Sequence, residues 1–268
     1  MRADEQDEAR LARRMAAVSS VRQVVGAVWA LARAQLPQVE RAAGEATVYL
    51  DWVDAVVTRL AGAPLPGRPG AALHVVLGPE RPFCGALARQ VLAQLPPAAP
   101  LVLVGQRLIE AADLQPELAA KVELRLRGAA THDEHEEVAR AVAEAVLARA
   151  GARQVVLLHP AGGGPGLHRV VLLSGPREPL QRLPDTFSPL PLVLAAAVRE
   201  AVAGRLAVGA LEALRAEVRA RIVATEAARH ACDRRLEDLR QGLRVARQEQ
   251  ITSELIEVVA ARAAALGV

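Results

Sequence analysis

The chain has 268 residues, 52% of them apolar but only 2% aromatic, with a formal charge of +3. Alanine supplies much of the apolar share, which suits close helix packing better than a bulky core, and so mild a charge gives no argument for nucleic acid. Two distant cysteines, Cys84 and Cys232, set no disulfide framework, and arginines and glutamates interrupt every apolar run that approaches membrane-spanning length. The acidic start (Asp4, Glu5, Asp7, Glu8) lacks the plan of a signal peptide, so a soluble cytoplasmic chain is expected.

Residues from about Glu5 to Leu60 predict one long helix. Val18, Val21, Val25, Val28 and Ala32 step by three and four, a narrow apolar stripe that a partner helix has to cover. Pro37 lies inside it, where a ring clash and a lost hydrogen bond cost ~3 kcal/mol, so a bend or a change of helix after Leu36 is expected. The Pro- and Gly-rich run from Gly62 to Gly70 reads as a linker. From Ala71 the period changes. Strands over Leu73–Leu77, Leu101–Val104 and Val122–Leu126 alternate with helices over about Cys84–Leu95 and Leu108–Ala112. Thr131 and Glu134 form a capping-box pattern that opens a helix to about Ala150. Gln154–His159 and His168–Leu173 are two further strands, antiparallel because a short glycine-rich turn joins them. The alternation implies a mainly parallel sheet with right-handed crossovers. Pro176, Pro179, Pro184, Pro189 and Pro191 then lead to a proline-free run from Leu192 to Leu266. As one helix it would be ~110 Å long at ~1.5 Å per residue, too long to bury itself in a small domain. Leu236, Leu239, Leu243 and Ala246, then Ile251, Leu255 and Val258, give it a stripe of its own.

Four clusters invite a chemical reading. Gly162 to Gly166 follows a strand, but a phosphate-cradling loop needs a helix behind it and a lysine, and neither follows. A flexible hairpin turn is the simpler reading. In Thr131 to Glu137, His132 and Glu136 share a helix face at metal-ligand spacing, yet no third or fourth ligand is near, and acids suit a first helical turn. The loop Pro79 to Ala86 leaves a strand's carboxyl end, where α/β domains place ligands, with Cys84 and His74 as the only nucleophile–base pair. A buried structural cysteine at a tight turn is the favoured reading. The arginines from Arg215 to Arg247 are only partly offset by acids. They form either a solvated surface with local ion pairs or a basic rod against an acidic partner, with little aromatic interleaving for bases.

One segment is specific. Arg244-Val-Ala-Arg-Gln-Glu-Gln-Ile-Thr-Ser-Glu-Leu-Ile-Glu-Val-Val259 resembles the C-terminal signature of the gamma subunit, the central rotor stalk, of F-type ATP synthases. Glu217 to Ala231 resembles that family's upstream segment, and Phe83-Cys84-Gly85-Ala86-Leu87 its glycine-leucine-cysteine-glycine loop, with Pro82 and Phe83 as departures. Arg13 to Val18 and Ala27-Val28 track the N-terminal helix more loosely. The short chain, Val25 and Gly26 in place of basic residues, and Pro37 are further departures, and they point to the divergent N-type subgroup.

The resemblance implies an α/β fold plus long helices, in which the N- and C-terminal helices form an antiparallel coiled coil around an inserted Rossmann-like domain. Residues 1–62 would be the first shaft helix, 70–186 the α/β foot and 190–268 the second shaft helix. It implies no active site and no cofactor. The implied partners are the alpha and beta subunits of the catalytic hexamer, the epsilon subunit and the membrane c ring, with no nucleic acid. Its implied place is cytoplasmic, peripheral on the inner face of the bacterial plasma membrane. Arg247, Gln248 and Thr252 stand where the family contacts a beta-subunit loop, and Asp185, Thr186 and Phe187 where it meets the c ring. Val18, Val21, Val25, Val28, Leu236, Leu239 and Leu243 form the expected shaft seam. The readings from other classes are a coiled-coil scaffold or nucleic-acid-binding protein, and an α/β enzyme with helical arms.

Overall fold

A computed structural model describes residues 3–61, 72–151, 153–161, 166–173 and 185–266. The expected linker over 62–70, most of the glycine-rich turn (162–165), and Pro176, Pro179 and Pro184 lie outside the described residues. The elements run α1 (Ala3–Ala61), β1 (Ala72–Leu77), α2 (Leu87–Leu92), β2 (Leu101–Val104), α3 (Gln106–Asp113) and α4 (Pro116–Ala119). They continue with β3 (Val122–Leu126), a 3₁₀ turn (His132–Glu134), α5 (His135–Ala150), β4 (Gln154–Pro160), β5 (Leu167–Leu173) and α6 (Leu190–Leu266). The chain divides into two compact units, Met1–Leu31 with Val223–Val268, and Ala32–Ile222.

In the second unit the sheet order is β3-β2-β1-β4-β5. β1 pairs parallel with β2 and β4, β2 parallel with β3, and β5 closes one edge antiparallel to β4. Parallel strands covered on both faces need apolar residues at every position, which is why β1, β2 and β4 read as continuous runs. Because side chains alternate along a strand, β1 sends Leu73, Val75 and Leu77 to one face and Val76 to the other. The first face packs on Val142 and Val146 of α5 and on Val202, Leu206 and Ala210 of α6. The second packs on Val91 of α2 and Leu108 of α3. α6 approaches so closely at Gly209 that a Cβ there would stand 2.7 Å from Leu157 Cδ2.

Several local expectations need correction. α1 continues as one helix through Pro37, which is exposed, so no change of helix follows Leu36. The capping box does not form: Thr131 makes no side-chain cap bond, and Glu134 Oε2 accepts instead from Ala130 N at 2.8 Å. A 3₁₀ turn therefore precedes α5. α2 is only 6 residues long, and the 4-residue α4 starts on Pro116, where a missing N–H costs nothing. The stretch Glu8–Leu60 also contains an 18-residue window of mean hydropathy 1.4, apolar enough by composition to cross a membrane. Counting charges concealed it, since alanine and valine lift the mean around Arg22.

Two buried histidines give the second unit a pH dependence. Burial, aided by Arg169, pushes His74 below the ordinary 6.5, and burial, aided by His168 and Arg215, does the same to His159. A folded value below the unfolded one means that the unfolded chain binds more protons, so this stability is present above pH 6.5 and lost as pH falls. Glu217, whose carboxyl is pushed up chiefly by burial, acts with the opposite sign. We expect the melting temperature to fall between about pH 6.5 and 5, above the ordinary carboxylate range, and the fall to shrink in His74→Gln/His159→Gln. An equal fall in that variant and the parent would assign the effect elsewhere.

Candidate functional site

In the first unit α1 and α6 lie antiparallel, as three contacts show. Glu8 accepts from Arg247 Nε at 2.7 Å, Asp233 from Arg22, and the Arg229 guanidinium carbon sits 4.5 Å from the centre of the Trp29 ring. The residues of α1 turned inward are Leu11, Met15, Val18, Val25 and Trp29, with Arg22 in step between them. On α6 the inward set is Cys232, Leu236, Leu239, Leu243 and Ala246. Val25, Leu236 and Leu239 of the expected seam are buried, and Val18, Val28 and Leu243 half-buried. Val21 is 54% exposed. In register with Val18, Val25 and Trp29, the exposed Arg22 reaches across to pair with Asp233 on α6.

Further along α6, the three residues expected to meet beta divide between two faces. Arg247 already spends one N–H on Glu8. Gln248 and Thr252 flank a shallow depression with Val245, Glu249, Ser253 and Ile256. The Thr252 hydroxyl donates back to Gln248 O at 2.8 Å, which leaves its oxygen free to accept and the Gln248 amide outward. Exposed Ile251, Leu255 and Val258 continue this end of the helix.

In the second unit, Thr186 Oγ1 donates to Ser188 O at 2.7 Å and shapes the turn that carries Phe187, whose ring is fully exposed at 115%. Asp185 is exposed beside it. The helices of this unit also run antiparallel: Glu40 pairs with Arg219 at 2.6 Å and Asp54 with Arg205 at 2.5 Å, and Tyr49 donates to Glu200 at 2.9 Å.

Two features escaped sequence reading. Trp52 is 67% exposed on α1, a further large aromatic on the surface of this unit. Glu217 and Arg221 on α6 are buried together against the loop after β1. Their spacing of four along one helix face was the available signal. Their presence also bears on Cys84, whose thiol burial, followed by the Glu217 charge, pushes up and keeps protonated. That is the reverse of what a nucleophile requires. Near His132, the His135 Nδ1 meets the His132 carbonyl, and among the described residues no three His, Cys, Asp or Glu side chains converge on a metal position.

The chain thus combines a doubly wound α/β domain with long N- and C-terminal helices. The chain matches the family described as ATP synthase over residues 8–266, and it belongs to that family, in its gamma-subunit line. No curated protein matches significantly. Among solved structures, a chain of the Euglena gracilis mitochondrial ATP synthase (OSCP/F1/c-ring, rotational state 3) shares 15% identity and a TM-score of 0.67, covering 98% of this chain and 97% of that one. A chain of the rotor of the same organism's enzyme, in rotational state 1, gives 14% identity and 0.62 over 92% of this chain and 99% of that one. A chain from the central stalk/c-ring of the Tetrahymena thermophila mitochondrial enzyme gives 15% and 0.60 over 76% and 99%. At such identities the likeness is one of fold.

Proposed function

We propose that this chain is the rotor stalk of an F-type ATP synthase, passing torque between a membrane c ring and a catalytic alpha/beta hexamer. The observation that carries the reading is the family match across residues 8–266. The solved neighbours, described with F1 and a c-ring, support the same two partners, and we add an epsilon subunit by resemblance. We divide the chain by role into shaft (1–62 and 190–268) and foot (70–186), without an active site of its own. It would sit peripherally on its membrane through the complex; the inner face of a bacterial plasma membrane is our placement. Two unequal helices present a different surface to each of three equivalent partners. Each orientation thereby biases their nucleotide affinities by its differential contacts. Exposed charged contacts are weak enough to break at every step.

Arg247, Gln248 and Thr252 are our candidates for the catch on beta, and Asp185, Thr186 and Phe187 for the c-ring contact. A charge-assisted bond from Arg247 is worth ~1.5–3 kcal/mol, enough to favour one open beta subunit. The test is reconstitution with alpha, beta and a c ring. Arg247→Ala/Gln248→Ala should assemble and lower ATP turnover by about tenfold, the equivalent of ~1.4 kcal/mol. Phe187→Ala should leave the soluble hexamer complex intact and weaken only its attachment to the ring. Unchanged turnover in the first variant rejects the catch. Failure of the parent chain to assemble with alpha and beta rejects the rotor reading.

A further inference from the structure

The face that α6 lays on the sheet is apolar. Val202, Ala203, Leu206, Ala210 and Ala213 line it, and Gly209 brings the helix backbone against Leu157. Apolar contact of this kind holds a helix onto a sheet but has no direction of its own, so it sets the register less sharply than hydrogen bonds do. Directional bonds begin at the next turns. Glu217, 1% exposed, accepts from Glu80 N at 2.7 Å and Arg81 N at 3.1 Å. Arg221, one turn on, donates to Glu217 and, through Nε, to Pro82 O at 3.3 Å. Both side chains thus grip three consecutive residues of the loop leaving β1.

That loop is itself tied down. The Glu80 carboxylate accepts from Gln106 N at 2.8 Å, where α3 begins after β2, and from Gly128 N at 2.9 Å, beyond β3. The carboxyl ends of three adjacent parallel strands are therefore joined in one network, and α6 enters it through Glu217 and Arg221. In doubly wound domains this edge is where ligands bind. Here a carboxylate of the chain's own helix takes the two converging N–H groups.

We propose that Glu217 and Arg221 are a positioning pair that keys α6 to the carboxyl edge of the sheet, so that rotation of the α/β domain passes to α6 without slip. The proposal rests on the rotor reading and adds to it the place where the load crosses from sheet to helix. Its consequence is that the pair matters for coupling and not for the chemistry of the hexamer.

The experiment uses the whole complex reconstituted in vesicles. It compares the parent with Glu217→Gln/Arg221→Met, which removes both charges while keeping the volumes similar, and with Arg221→Lys. ATP hydrolysis is measured alongside ATP-driven uptake, followed with a proton-sensitive dye and with radioactive sodium. In the assembled double variant hydrolysis should stay within about twofold of the parent, while ions moved per ATP fall at least about threefold, a size single side chains can produce in coupling. Arg221→Lys, which keeps the charge and loses the fork, should fall in between. A purely structural role would lower the yield and melting temperature of the complex without changing ions per ATP. An unchanged ratio in the assembled double variant overturns the proposal. If the double variant does not assemble, an unchanged ratio in Arg221→Lys does so. A parent complex that hydrolyses ATP but moves neither ion would instead sink the rotor reading.

Discussion

Gly105→Ala should destabilise the α/β unit by about 3 kcal/mol or more, the sum of a backbone strain term and an overpacking term. Gly105 follows β2 with φ +120, a conformation that side-chain-bearing residues rarely adopt. A Cβ there would lie 2.5 Å from Gly78 O and 3.0 Å from Pro79 O. Both obstacles are backbone atoms and cannot rotate away as a side chain can. Nor can the loop shift freely, because Gly105 N donates to Leu126 O and Gly78 N to Val104 O. Urea denaturation followed by circular dichroism measures the loss. A change below about 1 kcal/mol would mean that these strand-end loops yield more easily than their bonding implies.

Leu206→Ala is the second large effect, at about 2–5 kcal/mol. Leu206 is buried on α6 within the cluster formed by Leu73, Val75, Leu77 and Leu157. A sheet holds its strands at fixed spacing, so the neighbours have little room to close over the void. Amide exchange adds a sharper reading. The amides of α6 around residues 202–213 should lose more protection than those of β1, since the deletion loosens the helix on a sheet that stays paired. Equal loss in both would show that helix and sheet open as a single unit.

Most of the architecture is legible in residue patterns. The apolar runs of β1, β2 and β4 admit one arrangement, a parallel sheet covered on both sides, and the short turn between β4 and β5 forces their antiparallel pairing. What local patterns do not show is which of two competing stripes a helix buries. On α1 the all-valine series includes Val21, which is exposed, while the side chain that reaches the partner helix at this turn is Arg22, paired with Asp233. At Pro37 the helix continues despite the missing N–H, because the turns on either side keep their own hydrogen bonds. The Glu217–Arg221 grip hid behind an ordinary helical charge pair, since its other partners are backbone groups more than a hundred residues away. Arg247, Gln248 and Thr252 stand out only by family likeness, because their roles concern a surface of another subunit.

Trp29 and Trp52 are the only two tryptophans, and each belongs to a different compact unit. Trp29 is half covered, with the Arg229 guanidinium over its ring, while Trp52 stands largely in water. Their emission therefore separates by environment: Trp52 reports at longer wavelength and yields first to a dissolved quencher, while Trp29 is shielded. With one indole replaced at a time, the chain carries an intrinsic fluorophore for each unit. Opening of the paired helix ends then uncovers Trp29 and moves its emission toward that of Trp52, with no label attached.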